Sequence, residues 1–390
     1  MRWIKRGLLA LFAAAALGLA GFWTFAPAMV EKGRNAVGEH EPYPVSPEAA
    51  ALHARLTIGD WHADSLLWNR DLLERADYGQ VDLPRLIEGN VALQVFTAVT
   101  KSPAGLNYEE NSADARDNIT LLAFGQLWPI RTWQSIFERA IYQAEKLHDF
   151  AARSNGQLRI IRTRADLDAV LGARAGGETV VGALLGVEGA HPLEGKLANL
   201  DKLEAAGYRL IGLQHFFDNE LGGSLHGTAG GGLTDFGRQV VQEVAARGLV
   251  LDVAHSSQQV VREVLEMTDI PIVLSHTGLH SACEVKRNIP DALMRQIAAS
   301  GGVIGIGYWQ EVTCDDSPAG IARVVRAAIE AVGEDAVSLG SDFDGSVATA
   351  LDTSELAALT HELLAQGLSE EQIAKVMGGN MVRVLRARLR

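Results

Sequence analysis

Short apolar runs alternate with longer stretches of helical periodicity along most of the chain. The runs are rich in Val, Ile and Leu and show little polar alternation, which is typical of strands buried on both faces of a parallel sheet. We predict eight such strands, at residues 56–61, 91–99, 180–187, 209–215, 249–255, 272–276, 303–308 and 337–340. Because strands and helices alternate throughout, the pattern predicts an α/β fold, a (β/α)8 barrel of the TIM type.

Helix signals fill the segments between these runs. Residues 114–152 are amphipathic and predict two helices that are broken near Pro129, and residues 158–162 add a strand-like segment to this oversized second crossover. We expect the last helix to end near Gly378 and Gly379. Two capping-box patterns open helices, Ser256 with Gln259 before residues 258–267 and Ser369 with Gln372 before the last helix.

The N-terminus has a different pattern. Arg2, Lys5 and Arg6 precede an uncharged run over residues 7–30, which as a helix could span the roughly 30 Å of hydrocarbon in a bilayer. A cleaved signal peptide has a shorter apolar stretch of about 7–15 residues, so we favour an uncleaved anchor over residues 1–30. The small residues Ala26-Pro27-Ala28 keep cleavage open. Basic residues stay in the cytoplasm, so the remainder is expected to be exported to the cell envelope, outside the cytoplasm.

The remaining chain is expected to form a polar linker and one domain. Residues 31–47 are polar and carry three prolines, and Ser46 with Pro47 predicts a helix start. We assign residues 48–390 to the barrel. The net charge of −13 argues against a nucleic-acid partner, which requires a basic surface. Two cysteines exclude a disulfide scaffold and a cysteine-rich zinc site, and allow at most one bridge.

Metal-compatible side chains end six of the eight predicted strands. Active sites of such barrels are built at the carboxyl ends of the strands, so these side chains should meet at one rim. They are His62 with Asp64, then Glu188, His215, His255, His276 and Asp342. This set offers nitrogen and oxygen ligands without thiolate, which suits zinc and also manganese, cobalt or iron.

The spacing of these residues allows two metal ions. His62 and Asp64 lie two positions apart on a strand, so both face the same side and could share one ion. The two oxygens of Glu188 could bridge two ions, and His255 with His276 on adjacent strands could hold the second. Paired metals of this kind lie about 3.5–4 Å apart and activate a shared hydroxide.

The sequence from about residue 50 to 388 resembles the membrane (renal) dipeptidases, the M19 metallopeptidases of the amidohydrolase superfamily. The resemblance rests on several motifs that occur in the family's order. They are Asp60-Trp-His-Ala-Asp64, Gly186-Val-Glu-Gly189, Leu213-Gln-His215 with Asp218-Asn219, Gly232-Leu-Thr-Asp-Phe-Gly-Arg238, Leu251-Asp-Val-Ala-His-Ser256, Ser275-His276, Lys286-Arg-Asn-Ile-Pro290, Gly340-Ser-Asp-Phe-Asp-Gly345 and Gly379-Asn380.

The resemblance implies a role for each candidate. One zinc is bound by His62, Asp64 and Glu188, and the other by Glu188, His255 and His276. His215 contacts the substrate carbonyl, Arg287 binds the C-terminal carboxylate of a dipeptide, and Asp342 carries a proton from the attacking water to the leaving amine. Asp344 is expected to cap or brace its loop. Tyr308 is the candidate for a substrate-contacting tyrosine, although its loop is one residue short of the family pattern.

The resemblance also implies a Cys283–Cys314 disulfide, a homodimer and, in some relatives, cleavage of dipeptides with a C-terminal D-residue or of β-lactams. Another hydrolysis of a C–N bond or lactone in the same site, and a non-enzymatic anchored binding barrel, stay open as alternatives. The glycine-rich segment 222–232 is expected to be a mobile rim loop, with His226 solvated.

Overall fold

Eight parallel strands form a nearly closed barrel in the computed structural model, which describes residues 2–390. With one further strand outside the barrel, the described residues form nine strands: β1 Ile58–Ala63, β2 Val91–Val99, β3 Leu158–Ile160, β4 Val181–Glu188, β5 Tyr208–Gly212, β6 Val250–Asp252, β7 Val273–Thr277, β8 Val303–Ile306 and β9 Val337–Leu339. The order around the barrel is β1-β2-β4-β5-β6-β7-β8-β9, and β3 lies outside this path, paired with β4. Just past β9, Phe343 pairs with Ala63 and brings the two ends of the sheet together.

The helices surround this barrel and confirm the predicted alternation. They are α1 Arg2–Arg34, α2 Pro47–His53, α3 Leu83–Glu88, α4 Asn118–Gly125, α5 Ile136–Arg153, α6 Arg164–Ala175, α7 Ala198–Ala206, α8 Asp235–Arg247, α9 Gln258–Met267, α10 Asp291–Ala299, α11 Gln310–Thr313, α12 Pro318–Val332, α13 Leu356–Ala365, α14 Glu370–Ala374 and α15 Asn380–Arg388. The predicted break near Pro129 separates α4 from α5.

Two predicted helix ends are wrong. Ser257 caps α9, because its side chain accepts the backbone N–H of Val260 at 3.1 Å. Ser256 instead donates to Gln214 Oε1 at 2.6 Å. The C-terminal helix does not end at Gly378: a π-turn with a kink at that glycine joins α14 to α15. A Cβ on Gly378 would lie 2.0 Å from the carbonyl oxygen of Thr57, so glycine allows this close approach to the chain before β1.

The strands are apolar on both faces because they separate two layers of core. Residues from seven barrel strands and α15 form a buried cluster inside the barrel, with Trp61, Leu184 and Val250 among them. A larger cluster fills the space between the strands and the outer helices. Since the inner cluster lies toward the starts of the strands, the carboxyl ends are left free for polar side chains.

Helix α1 runs to Arg34, past the predicted boundary at residue 30. By length and composition alone it could cross a membrane, with a mean hydropathy of 2.0 over its most apolar window. From Trp3 to Ala20, every side chain whose exposure is described is exposed. The later turns contact the barrel, where Trp23 packs edge-on against Phe124 with ring centroids 5.8 Å apart.

The polar tract after α1 also lies against the barrel. The backbone N–H of Gly38 donates to Thr349 O at 2.8 Å, and Val37 pairs with Thr349 as an isolated bridge. The tract then reaches α2, where the predicted cap is confirmed: Ser46 accepts the N–H of Ala49 at 3.1 Å. The end of α1 and the segment after it are therefore held next to the loop that follows β9.

Candidate metal centre and its cavity

The predicted metal ligands converge at the carboxyl ends of the barrel strands. Glu188 is the last residue of β4, and His62 and His276 lie within β1 and β7. The other members follow the ends of their strands by one to three residues. All of them are buried. The members are His62, Asp64, Glu188, His215, His255, His276 and Asp342.

The carboxylate of Glu188 lies at the centre of this group. Its Oε1 atom is 3.4 Å from His62 Nε2, 3.1 Å from His255 Nε2 and 3.3 Å from His276 Nε2. Its Oε2 atom is 3.2 Å from His215 Nε2. One carboxylate thus faces four imidazoles.

Two smaller groups complete the arrangement around Glu188. His62 Nε2 lies 3.5 Å from Asp64 Oδ1 and 3.8 Å from Asp342 Oδ1. His255 Nε2 and His276 Nε2 lie 3.0 Å apart. Three overlapping sets have ligand atoms within 4.8 Å of one another: His62, Asp64 and Glu188; Glu188, His215 and His255; and His62, His276 and Asp342. His215, predicted only to contact substrate, therefore also lies within reach of a metal.

The charge balance of the centre favours a cation. Burial, with Asp64 adding to it, raises the pKa of Glu188 well above its ordinary value. Burial and Asp64 likewise raise the pKa of Asp342 to about 7, against the effect of His62. Burial disfavours charge on His62, yet Glu188 and Asp64 outweigh it and raise its pKa to about 10. Crowded carboxylates of this kind are stabilised by a bound divalent ion.

The donor set fits such an ion. The Nε2 atom of His62 is buried with no hydrogen-bond partner, so it is free to act as a ligand. Burial, with Arg287 or His62 adding to it, lowers the pKa of His255 and of His276, which keeps both rings in the neutral form that binds metals. The nitrogen and oxygen donors suit zinc and its neighbours, as the sequence predicted.

A network beneath the ligands orients them. Ser275 Oγ donates to Asp252 Oδ2 at 2.7 Å and lies 2.8 Å from His276 Nδ1. Because the serine hydrogen goes to Asp252, the oxygen accepts from Nδ1–H and leaves His276 Nε2 with a free lone pair. On the opposite side, Asp60 Oδ1 accepts the backbone N–H of His62 at 2.8 Å. Sequence reasoning gave Asp252 and Asp60 no role, although both stand inside motifs it quoted.

The two aspartates after β9, Asp342 and Asp344, have different surroundings. Asp342 lies at the floor of the cavity, and Gly345 leaves room for it, since a Cβ there would lie 2.2 Å from Asp342 Oδ1. Asp344 is fully buried and accepts from Ser65 Oγ at 2.6 Å and from Arg70 Nη2 at 2.5 Å. Arg70 also pairs with Glu31 of α1. The predicted bracing role of Asp344 is therefore confirmed.

Arg287 is a buried guanidinium without a carboxylate partner among the described residues. Its Nη2 donates to the carbonyl oxygen of His276 at 2.7 Å, and its Nε atom has no partner. The guanidinium carbon lies 5.9 Å from the centre of the Trp309 ring. A buried arginine with unused donors is suited to bind an anionic ligand group.

Tyr308 does not reach the metal centre. Its ring packs edge-on against Phe343, and its buried hydroxyl has no hydrogen-bond partner. The next side chain, Trp309, points toward the site instead, and its Nε1 donates to the hydroxyl of Tyr108 at 3.0 Å. Tyr108 lines the cavity. Tyr308 is not among the residues that line the cavity, whereas Tyr108, from the long segment after β2, is.

His226 is also placed differently from the prediction. It is fully buried, its Nδ1 lies 2.7 Å from Tyr108 O, and its ring stacks on Phe216 with centroids 5.0 Å apart. The long insertion that carries Tyr108 covers this histidine, so it is not solvated. The first half of the glycine-rich segment is buried against the site, and only residues 228–231 are exposed.

The cavity above these residues has a volume of about 570 Å³. Its floor is polar, formed by Asp64, Glu188, His215, His255 and Asp342. Most of the remaining lining comes from α1 and from the segment 99–126, and Leu67, Trp68, Phe216 and residues 345–347 complete it. Side chains of α1 in this lining are Phe22, Ala26, Pro27, Val30 and Arg34.

The predicted disulfide is present. Cys283 and Cys314 are bonded and have Cα atoms 5.6 Å apart. They join the loop after β7, which carries Arg287, to the loop after β8. Asn288 fastens the same two loops, because its Nδ2 donates to Cys283 O and to Val312 O, each at 2.9 Å.

Replacing both cysteines by serine is expected to lower the free energy of unfolding by roughly 3–4 kcal/mol, because the bridge closes a long loop in the unfolded chain. Urea unfolding of the oxidised native chain and of the double variant measures this difference. Thiol titration of the denatured, unreduced native chain should find no reactive thiol. Two reactive thiols per chain, or equal unfolding midpoints, would contradict the prediction.

A parallel barrel with a buried cluster of histidines and carboxylates at the carboxyl ends of its strands defines a metal-dependent hydrolase of the amidohydrolase type. Comparison with known proteins gives the family: residues 47–389 match the model for membrane dipeptidase (peptidase family M19). The chain belongs to this family and is a metallo-dipeptidase.

Individual relatives agree with this assignment. Dipeptidase aclJ of Aspergillus oryzae is 28% identical over 361 residues, which cover 85% of this chain and 78% of the relative. Dipeptidase verJ of Clonostachys rogersoniana is 31% identical over 250 residues, 62% of this chain and 63% of the relative. A metallopeptidase structure from Rhodobacter sphaeroides, liganded with a phosphinate mimic of the dipeptide L-Ala-D-Ala, superposes with a TM-score of 0.68 at 22% identity, covering 85% of this chain and 99% of the other.

Proposed function

We propose that this protein hydrolyses free dipeptides with two zinc ions, one held by His62, Asp64 and Glu188 and the other by Glu188, His255 and His276. The observation that carries the proposal is the position of Glu188 Oε1, within 3.1–3.4 Å of three imidazole nitrogens. Bound zinc would supply an activated water and polarise the scissile carbonyl. The protein residues around the centre bind the dipeptide and move its protons.

Arg287 binds the C-terminal carboxylate of the dipeptide. Its burial, its unpaired Nε and the absence of a carboxylate within ion-pair distance among residues 2–390 support this role. His215, whose Nε2 lies 3.2 Å from Glu188 Oε2 on the cavity floor, contacts the carbonyl oxygen of the substrate and steadies it as negative charge develops there. Tyr308 has no part in this proposal, because its side chain does not face the site.

Asp342 carries the proton. Its carboxylate lies in the cavity floor, 3.8 Å from His62 Nε2, where it can accept a proton from the attacking water and deliver it to the amine nitrogen as the peptide bond breaks.

A panel of dipeptides tests the activity. The full-length chain, purified with detergent and loaded with zinc, is expected to hydrolyse free L-L dipeptides, and L-D dipeptides as the Rhodobacter ligand suggests. Metal analysis should find two zinc ions per chain, and a chelator should remove the activity. Hydrolysis of β-lactams or lactones without any dipeptide turnover would contradict the proposed substrate.

Arg287→Ala is expected to raise the KM for a free dipeptide and to leave kcat less affected, because the lost guanidinium binds a group remote from the reacting bond. Steady-state kinetics on a dipeptide and on its C-terminal amide measure the effect, and the amide should be a poor substrate for the native enzyme. Arg262→Ala, on the exposed face of α9, is the matched control. Equal native rates on the dipeptide and the amide would contradict the role of Arg287.

The same proposal places the barrel outside the cytoplasm, anchored to a membrane by α1. The basic residues Arg2, Lys5 and Arg6 before the apolar helix support this orientation. A protease that cannot cross the membrane should digest the barrel in spheroplasts. The homodimer expected from the resemblance stays a prediction, which mass photometry of the detergent-solubilised chain would test.

A further inference from the structure

Exposed apolar side chains outside α1 are concentrated in one segment of the described chain. Outside α1, the large hydrophobic residues that are exposed in the described chain are Val45 and five others, all within residues 106–130. We name these five the rim patch: Leu106, Leu121, Phe124, Leu127 and Ile130. Ile130 is 77% exposed and Leu127 58%. A contiguous exposed apolar surface marks an interaction site.

The rim patch is continuous with the surface of α1. Phe124 of the rim patch contacts Trp23 of α1. Leu106 and Leu121 line the same cavity wall region as Phe22 and Val30 of α1. A surface that covers the apolar side chains of α1 can therefore cover the rim patch as well.

The length of the free part of α1 matches a bilayer. The exposed stretch Trp3–Ala20 is 18 residues long, about 27 Å of helix, which is close to the roughly 30 Å of hydrocarbon in a bilayer. Barrel contacts begin immediately afterwards, at Trp23, without an intervening flexible linker. The rim patch is thus held at the level where the helix leaves the hydrocarbon.

From these observations we propose that the rim patch lies on the lipid bilayer into which α1 inserts, so that the mouth of the active-site cavity opens at the membrane surface. The inference rests on the proposed anchor role of α1 and extends it from one helix to a face of the barrel. Because the walls of the mouth are α1 and the segment that carries the rim patch, a substrate would enter along the lipid surface.

Lipid photocrosslinking of the full-length protein tests this proposal. The chain is reconstituted in phosphatidylcholine nanodiscs that contain a phosphatidylcholine with a diazirine in its acyl chain, irradiated, and mapped by mass spectrometry. We expect adducts on α1 and also on residues 104–131. The variant L121S/L127S/I130S should lose most adducts on residues 104–131 and keep those on α1. Val45→Ser, which alters an exposed apolar residue outside the rim patch, should change neither.

Each outcome of this experiment supports or overturns the proposal. If the triple variant fails to fold, the adducts mapped on the native protein are sufficient. Adducts on α1 with none on residues 104–131 would overturn the rim-patch proposal and leave the anchor intact. Cross-links between two chains through the rim patch would overturn it in favour of a dimer interface. No adducts on α1 would overturn both. Dipeptide hydrolysis, measured in the same nanodiscs, is independent of these results.

Discussion

Replacing Glu188 by glutamine is expected to abolish dipeptide hydrolysis and to deplete the bound metal. The Oε1 atom of Glu188 lies within 3.4 Å of three imidazole nitrogens that belong to the expected ligands. A neutral amide removes the charge that both ions would share. Since metal-assisted hydrolysis supplies several kcal/mol of transition-state stabilisation, we expect kcat to fall by at least about 10³-fold.

The measurement combines kinetics with metal analysis. Native and Glu188→Gln proteins are dialysed against metal-free buffer, and zinc is quantified before turnover is measured at saturating dipeptide. Glu178→Gln, an exposed glutamate just before β4, is the matched control and should keep both zinc and rate. A Glu188→Gln protein with native zinc content and native rate would refute the bridging assignment.

Replacing Asp342 by asparagine should separate metal binding from catalysis. The variant is expected to retain zinc and to lose about 10²–10⁴-fold in kcat, which is the usual contribution of general acid–base assistance. Asparagine has almost the same shape and tolerates the left-handed backbone found at this position, where φ is 60°. It cannot take up a proton, so only the transfer from water to the leaving amine is removed.

The neighbouring Asp344 provides the comparison for this variant. Asp344 braces Arg70 and Ser65, so Asp344→Asn should lower the thermal unfolding midpoint and reduce kcat less than Asp342→Asn does. Saturation kinetics, zinc content and thermal unfolding are measured on both variants. A near-native kcat for Asp342→Asn, or a larger loss of kcat for Asp344→Asn at full zinc content, would contradict the assignment of the proton carrier.

The barrel and the convergence of the candidate metal ligands at one rim could be predicted because the relevant signals are local. A strand buried on both faces is a continuous apolar run, and the residue that ends it must lie at one rim of a parallel barrel. Glu188 and His276 were found in this way. The residue that caps α9 could not be predicted in this way. Ser256 and Ser257 are adjacent, and only the tertiary hydrogen bond of Ser256 to Gln214 leaves Ser257 as the cap.

Features that depend on distant segments could not be predicted. His226 is buried because Tyr108, 118 positions earlier, lies over it. Tyr308 and Trp309 are neighbours, and which of them faces the site depends on the direction in which the chain leaves β8. The contact between α1 and the barrel has no local signal either, since an apolar helix followed by a polar tract has the same pattern whether it is tethered loosely or packed.

Three residues of the site region, His255, Asp342 and Asp344, have left-handed backbone conformations with φ of 59–60°. Such a conformation costs a residue other than glycine about 1–2 kcal/mol. These three residues therefore lower the free energy of unfolding. Asp342→Gly should therefore be inactive yet at least as stable as the native chain. In evolutionary terms, a lineage released from selection for hydrolysis would lose this aspartate readily while its barrel persisted. Descendants without activity should be recognisable by glycine or asparagine at this position in an otherwise intact fold.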